Sequence, residues 1–374
     1  MSKVRNILPN ILIVLPNLGG GGAERLHLNL AHDWAAKGYN VQIALLNVTG
    51  ELLPLVSKEI KIIDLDSKRL RCAFIKLYKL FKDHNYDVVI TALWPLTSIS
   101  IITWLIAGRK GRLYVSEHNQ LSISCIREQK IPSIIFRAII SFTHRFASGV
   151  IAVSKGVRDD LSSLAKMSRD SIKVIYNPAA TGVSPLRETP DVSSELWGRG
   201  YKYHILSVGR LKKQKDYETL IRAVAHLPED LNVKLTILGE GPLRQNLEAL
   251  IVQLGLQVRV SLPGFVTDPY PWFRSADLFV LSSQWEGFGN VIVEALECGV
   301  PVVSTDCPSG PSEILDNGIY GRLVPVGDAA MLSAAIIQSL DDKYDRELLI
   351  SRAKYFSVRN VSDQYLAYCF PGGI

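Results

Sequence analysis

Two acids, Glu286 and Glu294, stand in the stretch S-S-Q-W-E-G-F-G-N-V-I-V-E-A-L, residues 282–296, with seven residues between them. The apolar run from Asp277 to Leu281 that precedes them reads as a buried strand. Gly287 and Gly289 then permit a tight loop before an apolar-periodic helix begins near Asn290. That order places Glu286 in the loop and Glu294 in the first helical turns. Carboxylates at a strand's carboxyl end accept hydrogen bonds from hydroxyls, and the helix-start amides around Phe288, Gly289 and Asn290 attract phosphate, so a sugar nucleotide suits the pair. Acids are also favoured at any helix start, and the spacing alone fits a solvated terminus equally well.

Cations follow an earlier strand. In S-V-G-R-L-K-K-Q-K-D, residues 207–216, Arg210 and Lys215 lie just beyond the run His204–Val208. Arginine offers a planar fork and lysine a mobile point charge, and both would stabilise charge growing on a departing diphosphate. A basic loop is otherwise a solvated surface. Near the start, L-G-G-G-G-A-E-R-L, residues 18–26, follows a strand and opens a helix, so the amides near Gly21 and Gly22 can face a phosphate or sugar. It is not a dinucleotide fingerprint, because Glu24 or Arg25 stands where the third glycine would be required. A nicotinamide dehydrogenase is thereby disfavoured.

The elements that must position these residues alternate. Strand-like runs at Ile11–Leu15, Val41–Leu46, Val88–Thr91, Leu113–Ser116 and Val150–Val153 are separated by helical patterns such as Ala23–Lys37. After a Pro-, Ser- and Thr-rich pause between Pro178 and Arg199, runs resume at His204–Val208, Lys234–Leu238, Val258–Leu262, Leu278–Leu281, Val302–Ser304 and Arg322–Val324. Such alternation marks parallel, doubly wound sheets. At 374 residues the chain exceeds one ordinary core of roughly 150 residues. The expected organisation is α/β with an N-terminal domain over 1–190, a C-terminal domain over 191–355, and a helix over 356–374 returning towards the first.

Charge is unevenly shared. Residues 1–195 hold 25 Lys and Arg against 16 Asp and Glu, a balance of +9, whereas residues 196–374 hold 17 against 20, a balance of −3, which together make the overall +6. The basic half is expected to meet an anion. Nucleic acid is disfavoured because no aromatic-and-basic recognition module is visible, which leaves an anionic membrane surface or a diphosphate-linked acceptor. The run Ser67–Asp83 reads as a basic amphipathic helix with Lys68, Arg71, Lys79 and Lys82 in one stripe, Lys76 near its margin, and Leu70, Phe74, Leu77 and Phe81 opposite. A solvated outer face is the plain alternative.

Although 47% of residues are hydrophobic, no uninterrupted apolar run reaches the ~20 residues of a membrane span. Leu93–Ala107 and Ile131–Phe142 are the longest candidates, and polar residues within them predict buried or interfacial helices. Cysteines 72, 125, 298, 307 and 369 are odd in number and without C-x-x-C spacing, implying neither a zinc site nor a disulfide framework and fitting a reducing cytoplasm. The N-terminal M-S-K-V-R-N-I-L-P-N-I-L-I-V-L-P imitates a secretory signal but runs into a glycine loop, and is read as the first strand.

E-G-F-G-N-V-I-V-E-A-L resembles the E-x7-E signature of retaining glycosyltransferases of the two-lobed GT-B architecture, family 4. The resemblance spans nearly the whole chain, is strongest over residues 204–326, and is nearest to bacterial enzymes that add hexosamines or hexoses to undecaprenyl-diphosphate-linked glycans or lipopolysaccharide. It implies two Rossmann-like domains facing a cleft, with the glycine loop turned towards it. Glu294 would bind the ribose, Glu286 and His118 (in S-E-H-N) would orient the sugar, and L-P-G-F-V-T-D around Val266 would meet the base. L-G-E-G-P, residues 238–242, looks like a second, structural turn of the family. Asp64 and Asp66 spell the D-x-D that holds metal in other glycosyltransferases, but the resembling family works without a catalytic metal, so no cofactor is expected.

The expected function is transfer of a sugar from a UDP-sugar to a lipid-linked saccharide with retention, by a protein held peripherally at the inner face of the cytoplasmic membrane. N-acetylgalactosamine or another N-acetylhexosamine is preferred on overall resemblance. Transfer of galactose or glucose to lipopolysaccharide or capsule, a GT-B sugar-nucleotide epimerase and a two-lobed solute-binding protein are the alternatives.

Overall fold

The computed structural model describes residues 8–67, 70–125, 132–183, 185, 186, 188 and 190–372. The chain forms two compact units, one of Met1–Pro178 together with Val358–Ile374 and the other of Ala179–Ser357.

Among the described residues the first unit is built on seven parallel strands, β1 (Asn10–Leu15), β2 (Asn40–Leu45), β3 (Lys61–Asp64), β4 (Val88–Ala92), β5 (Arg112–Glu117), β6 (Gly149–Ala152) and β7 (Ile172–Val174). They lie in the order β3-β2-β1-β4-β5-β6-β7. The apolar run of β1 is needed because both its faces are covered. Ile11, Ile13 and Leu15 pack with Leu26, Leu30 and Trp34 of the helix Gly22–Ala36. Leu12 and Val14 pack on the other side with Leu77 and Phe81 of the helix Leu70–Asp83 and with Ile101 and Trp104 of the helix Leu96–Ile106. Val361, Tyr365 and Cys369 of the helix Val358–Cys369 belong to the same cluster as Trp34. The Lys37 ammonium, 2.6 Å from the Asp363 carboxylate, fastens that helix from outside.

Among its described residues the second unit holds six parallel strands, β8 (Tyr203–Val208), β9 (Val233–Leu238), β10 (Val260–Gly264), β11 (Leu278–Leu281), β12 (Val302–Thr305) and β13 (Arg322–Val324), in the order β10-β9-β8-β11-β12-β13. Chain order turns back between β8 and β11, so their carboxyl ends frame a topological switch point, where open α/β sheets bind ligands. In the first unit β1 and β4 stand in the same relation.

The structure departs from the sequence reading in four respects. The expected linker Pro178–Arg199 contains a helix, Pro190–Trp197. The unit boundary falls after Pro178, because the Glu297 carboxylate accepts from the amides of Thr181 at 3.2 Å and Gly182 at 2.6 Å, and Ala180 bridges Ser357. Edge strand β7, three residues long, was too short to stand out as a periodic run. Strand β10 ends at Gly264 rather than Leu262, with a register shift between Ser261 and Gly264 around Pro263, a residue tolerated there because β10 is an edge. Among the described residues no helix is long and apolar enough to cross a membrane.

Val361→Asp would bury an unpaired charge within the cluster around Trp34, at a cost of several kcal/mol. Differential scanning calorimetry with limited proteolysis should show the first unit unfolding earlier while the second holds; an early transition in residues 179–357 instead would refute the assignment of this helix.

Candidate active site

In the second unit the loops that carry the predicted acids and cations meet across the switch point. Lys215 Nζ lies 2.6 Å from Glu286 Oε1, and both side chains are largely buried. Ser283 Oγ donates to the same oxygen at 2.6 Å, whereas Glu286 Oε2 receives only a 3.5 Å approach from Gln214 Nε2. A buried carboxylate thus has one oxygen saturated and the other nearly uncommitted. The backbone is tied as closely: Gln284 N donates to Gln214 O at 2.8 Å, Gln214 Nε2 to Trp285 O at 2.8 Å, and Ser282 Oγ to Lys215 O at 2.8 Å. Gly209 permits the crossing, since a Cβ there would sit 2.9 Å from Lys215 Cε. Arg210 is exposed, and its guanidinium has no protein partner among the described residues.

Glu294 sits half-buried on the helix Asn290–Glu297, which starts where the sequence places it. Gly289, in the left-handed region at φ 105°, precedes the helix and, lacking a side chain, offers it no side-chain cap. Phe288 is buried against the Phe356 ring at 5.4 Å, and a Cβ at Gly310 would lie 1.7 Å from the Phe288 carbonyl oxygen, which explains the glycine. Half-buried Val266 and exposed Phe265 follow β10. The 238–242 turn is structural: Leu211 N donates to Glu240 O at 2.9 Å and Gly239 N to Gly264 O at 2.8 Å, linking the loops after β8, β9 and β10. Burial first, then the neighbouring Glu294 charge, pushes the Tyr270 phenol up. Its hydroxyl donates to Glu297 at 3.3 Å, and burial raises Glu297 above the ordinary carboxylate range.

In the first unit Gly21 and Gly22 are exposed at the start of the helix Gly22–Ala36, again without a side-chain cap. His118 follows β5 and is buried. Its Nε2 lies 3.0 Å from Ser116 Oγ, which lies 3.1 Å from the Tyr365 hydroxyl. Both hydroxyl protons find acceptors only if Tyr365 donates to Ser116 and Ser116 to Nε2, which leaves the His118 proton on Nδ1. That nitrogen is buried and unpartnered among the described residues. His27, which the sequence reading missed, stands edge-on to His118 with ring centroids 5.1 Å apart. Its Nδ1–H donates to Ala23 O at 2.8 Å, and burial lowers its pKa to about 4. Burial, then the His27 charge, likewise holds His118 well below the ordinary range. The adjacent Glu117 is anchored by buried His144, whose Nε2 lies 3.0 Å away.

Of the predicted basic stripe, Lys79 and Lys82 are exposed, while Lys68 and the Arg71 side chain lie outside the described residues. Lys76 is a neighbour of Asp66, donating to its backbone oxygen at 2.9 Å, and Asp66 N donates to Asp64 Oδ1 at 2.7 Å. The D-x-D is a surface turn with its own cation. Among the described residues no cluster of three or more His, Cys, Asp or Glu is arranged to hold a metal.

The buried histidines make the first unit acid-sensitive. His27 has a folded pKa of about 4 against an ordinary 6.5, so below 6.5 the unfolded chain takes up a proton that the folded chain refuses. Stability is full above 6.5 and falls towards 4, by about 3 kcal/mol from His27 alone. His27→Leu should flatten this acid limb, as read by urea unfolding near neutral pH and near the folded pKa; an unchanged slope would refute it.

The chain is similar to known proteins over most of its length. Residues 198–356 match the family described as glycosyl transferases group 1, and residues 20–182 match glycosyltransferase family 4. A Campylobacter jejuni protein, N-acetylgalactosamine-N,N'-diacetylbacillosaminyl-diphospho-undecaprenol 4-alpha-N-acetylgalactosaminyltransferase, is 30% identical over 353 residues, covering 91% of this chain and 93% of that protein. A second from the same organism, GalNAc-alpha-(1->4)-GalNAc-alpha-(1->3)-diNAcBac-PP-undecaprenol alpha-1,4-N-acetyl-D-galactosaminyltransferase, is 25% identical, covering 95% of this chain and 97% of that one. The crystal structure of Anabaena HepE in complex with UDP and glucose superposes with a TM-score of 0.80 at 24% identity, covering 96% of this chain and 99% of that one. With both units matched and a full-length relative of known class, the chain belongs to the GT-B glycosyltransferases of family 4.

Proposed function

We propose that this glycosyltransferase moves an N-acetylhexosamine, with N-acetylgalactosamine preferred, from a UDP-sugar to a hydroxyl of a lipid-linked saccharide, retaining the anomeric configuration. The observation that carries the reading is the buried Lys215–Glu286 pair beside a helix start that opens on Gly289, with Arg210 exposed on the loop that carries Lys215. The names of the two Campylobacter relatives support the sugar and the acceptor class.

In this reading the transition state resembles an oxocarbenium ion, and negative charge grows on the departing diphosphate. Lys215 is oriented by Glu286 and keeps ammonium protons for that charge; Arg210 adds a planar fork, and the amides of Gly289 and Asn290 complete the cradle. The less engaged Glu286 Oε2 accepts from a sugar hydroxyl, and the Nδ1–H of neutral His118 donates to another. Glu294 accepts from the ribose, the backbone around Val266 meets the base, and the amides near Gly21 and Gly22 approach the phosphate and acceptor. No metal takes part. The basic first unit works at the inner membrane surface, with Lys68, Arg71, Lys79 and Lys82 on the acceptor side.

Glu294→Ala should weaken UDP binding by about 1.5 to 3 kcal/mol, whereas Lys215→Ala should lower turnover by ~100-fold or more. Calorimetry with UDP and a transfer assay on folded variants check this; wild-type affinity in Glu294→Ala would remove the ribose role. Transfer should also persist in EDTA, and abolition with rescue by a divalent ion would return Asp64 and Asp66 to the mechanism.

A further inference from the structure

The helix Ser133–His144, S-I-I-F-R-A-I-I-S-F-T-H, contains no acid, and its six large apolar residues are too many for one buried face. Phe136 and Ile140 face inward at 0% exposure, while on the outer side Ile134 is 78% exposed, Ile135 55% and Phe142 57%. Arg137 and Arg145 flank this apolar stripe and are themselves exposed. Arg145 turns back to Ser141, its Nε donating to the backbone oxygen at 2.8 Å, and neither arginine meets a carboxylate among the described residues. Among the described residues, neighbouring acids are committed elsewhere: Glu117 to buried His144, Asp159 to Arg158 and Arg169, and Asp160 to the Ser122 amide.

We propose that this helix lies in the interface of an anionic lipid bilayer, Ile134, Ile135 and Phe142 entering the acyl boundary while Arg137 and Arg145 meet lipid phosphates. The inference rests on and deepens the membrane reading above, adding an apolar contact through this helix to the basic one of the Leu70–Asp83 helix. Twelve residues span about 18 Å, short of the roughly 30 Å hydrocarbon core, so the helix lies along the surface rather than across it. Apolar residues on one side with flanking arginines suit that depth, where acyl chains and phosphates meet. A second copy suits it less, because a two-fold contact along this stripe would set arginines against arginines with no acid to match. The Leu96–Ile106 helix packs against both this helix and the Leu70–Asp83 helix, so Lys79 and Lys82 extend the same cationic footing.

The test uses the full chain with vesicles of equal parts phosphatidylglycerol and phosphatidylcholine, and needs no sugar nucleotide. Wild type should co-sediment, and the double variant Ile135→Ser with Phe142→Ser should bind ~10-fold or more weakly. Both positions are exposed, and an unchanged circular dichroism melt verifies folding. Phe142→Trp should gain fluorescence quenching by acyl-brominated lipid beyond that of wild type. Lys79→Gln with Lys82→Gln should lower only the salt-sensitive part of binding. Failure of wild type to bind, undiminished binding of the double serine variant, or quenching of the Phe142→Trp variant no greater than that of wild type would each overturn the proposal. So would sedimentation-velocity dimers lost in the serine variant, which assign the face to a second copy. Absence of transfer activity with intact vesicle binding would sink the functional reading and leave this one standing.

Discussion

The loops of the second unit depend on one buried ion pair, Lys215 with Glu286. Charges removed from water are costly unless paired and further hydrogen-bonded, and removing one partner strands the other. Here Ser283 adds a hydrogen bond to the paired carboxylate oxygen, Gln214 approaches the other at 3.5 Å, and the neighbouring backbones bond to each other at 2.8 Å. Because the partners come from the loops after β8 and β11, adjacent strands on either side of the point where chain order reverses, the pair holds the switch point in a single arrangement. The glycines follow from that closeness: Gly209 lets Lys215 pass, and Gly310 lets the Phe288 carbonyl approach.

The first unit meets the problem of polar groups at strand ends differently. His27 and His118 are buried and neutral, ordered by hydrogen bonds to Ala23 and through Ser116 to Tyr365. A neutral network avoids the cost of a bare charge but makes the site conditional on a tautomer. That tautomer is decided by a tyrosine far along the chain.

Much of this was legible beforehand. Strands such as β1 and β11 are continuous apolar runs because both faces of their sheets are covered, so length and flanking glycines located them. Glu286 in a loop and Glu294 in a helix followed from Gly287, Gly289 and the periodicity after Asn290. The partners of those residues were not legible. Ser283 and Gln214 have no composition that distinguishes them from surface residues, and His27 looks like any position on an amphipathic helix. Glu297 lies three residues past Glu294, yet its role is to hold the backbone at Thr181 and Gly182, which moved the unit boundary. Arg137 interrupts an apolar run in the sequence, whereas in three dimensions it borders an exposed stripe.

The first unit is closed by a helix separated from its other strands by the whole of residues 179–357. On a translating ribosome, the face of β1 that carries Ile11, Ile13 and Leu15 therefore waits, with Trp34 incompletely covered, until that intervening unit has emerged. The intervening unit has its own sheet and its own core and can complete first. Vectorial synthesis thus favours an order in which the later-made half matures before the earlier one, and a chaperone that shields apolar surface would find its substrate in the amino-terminal half.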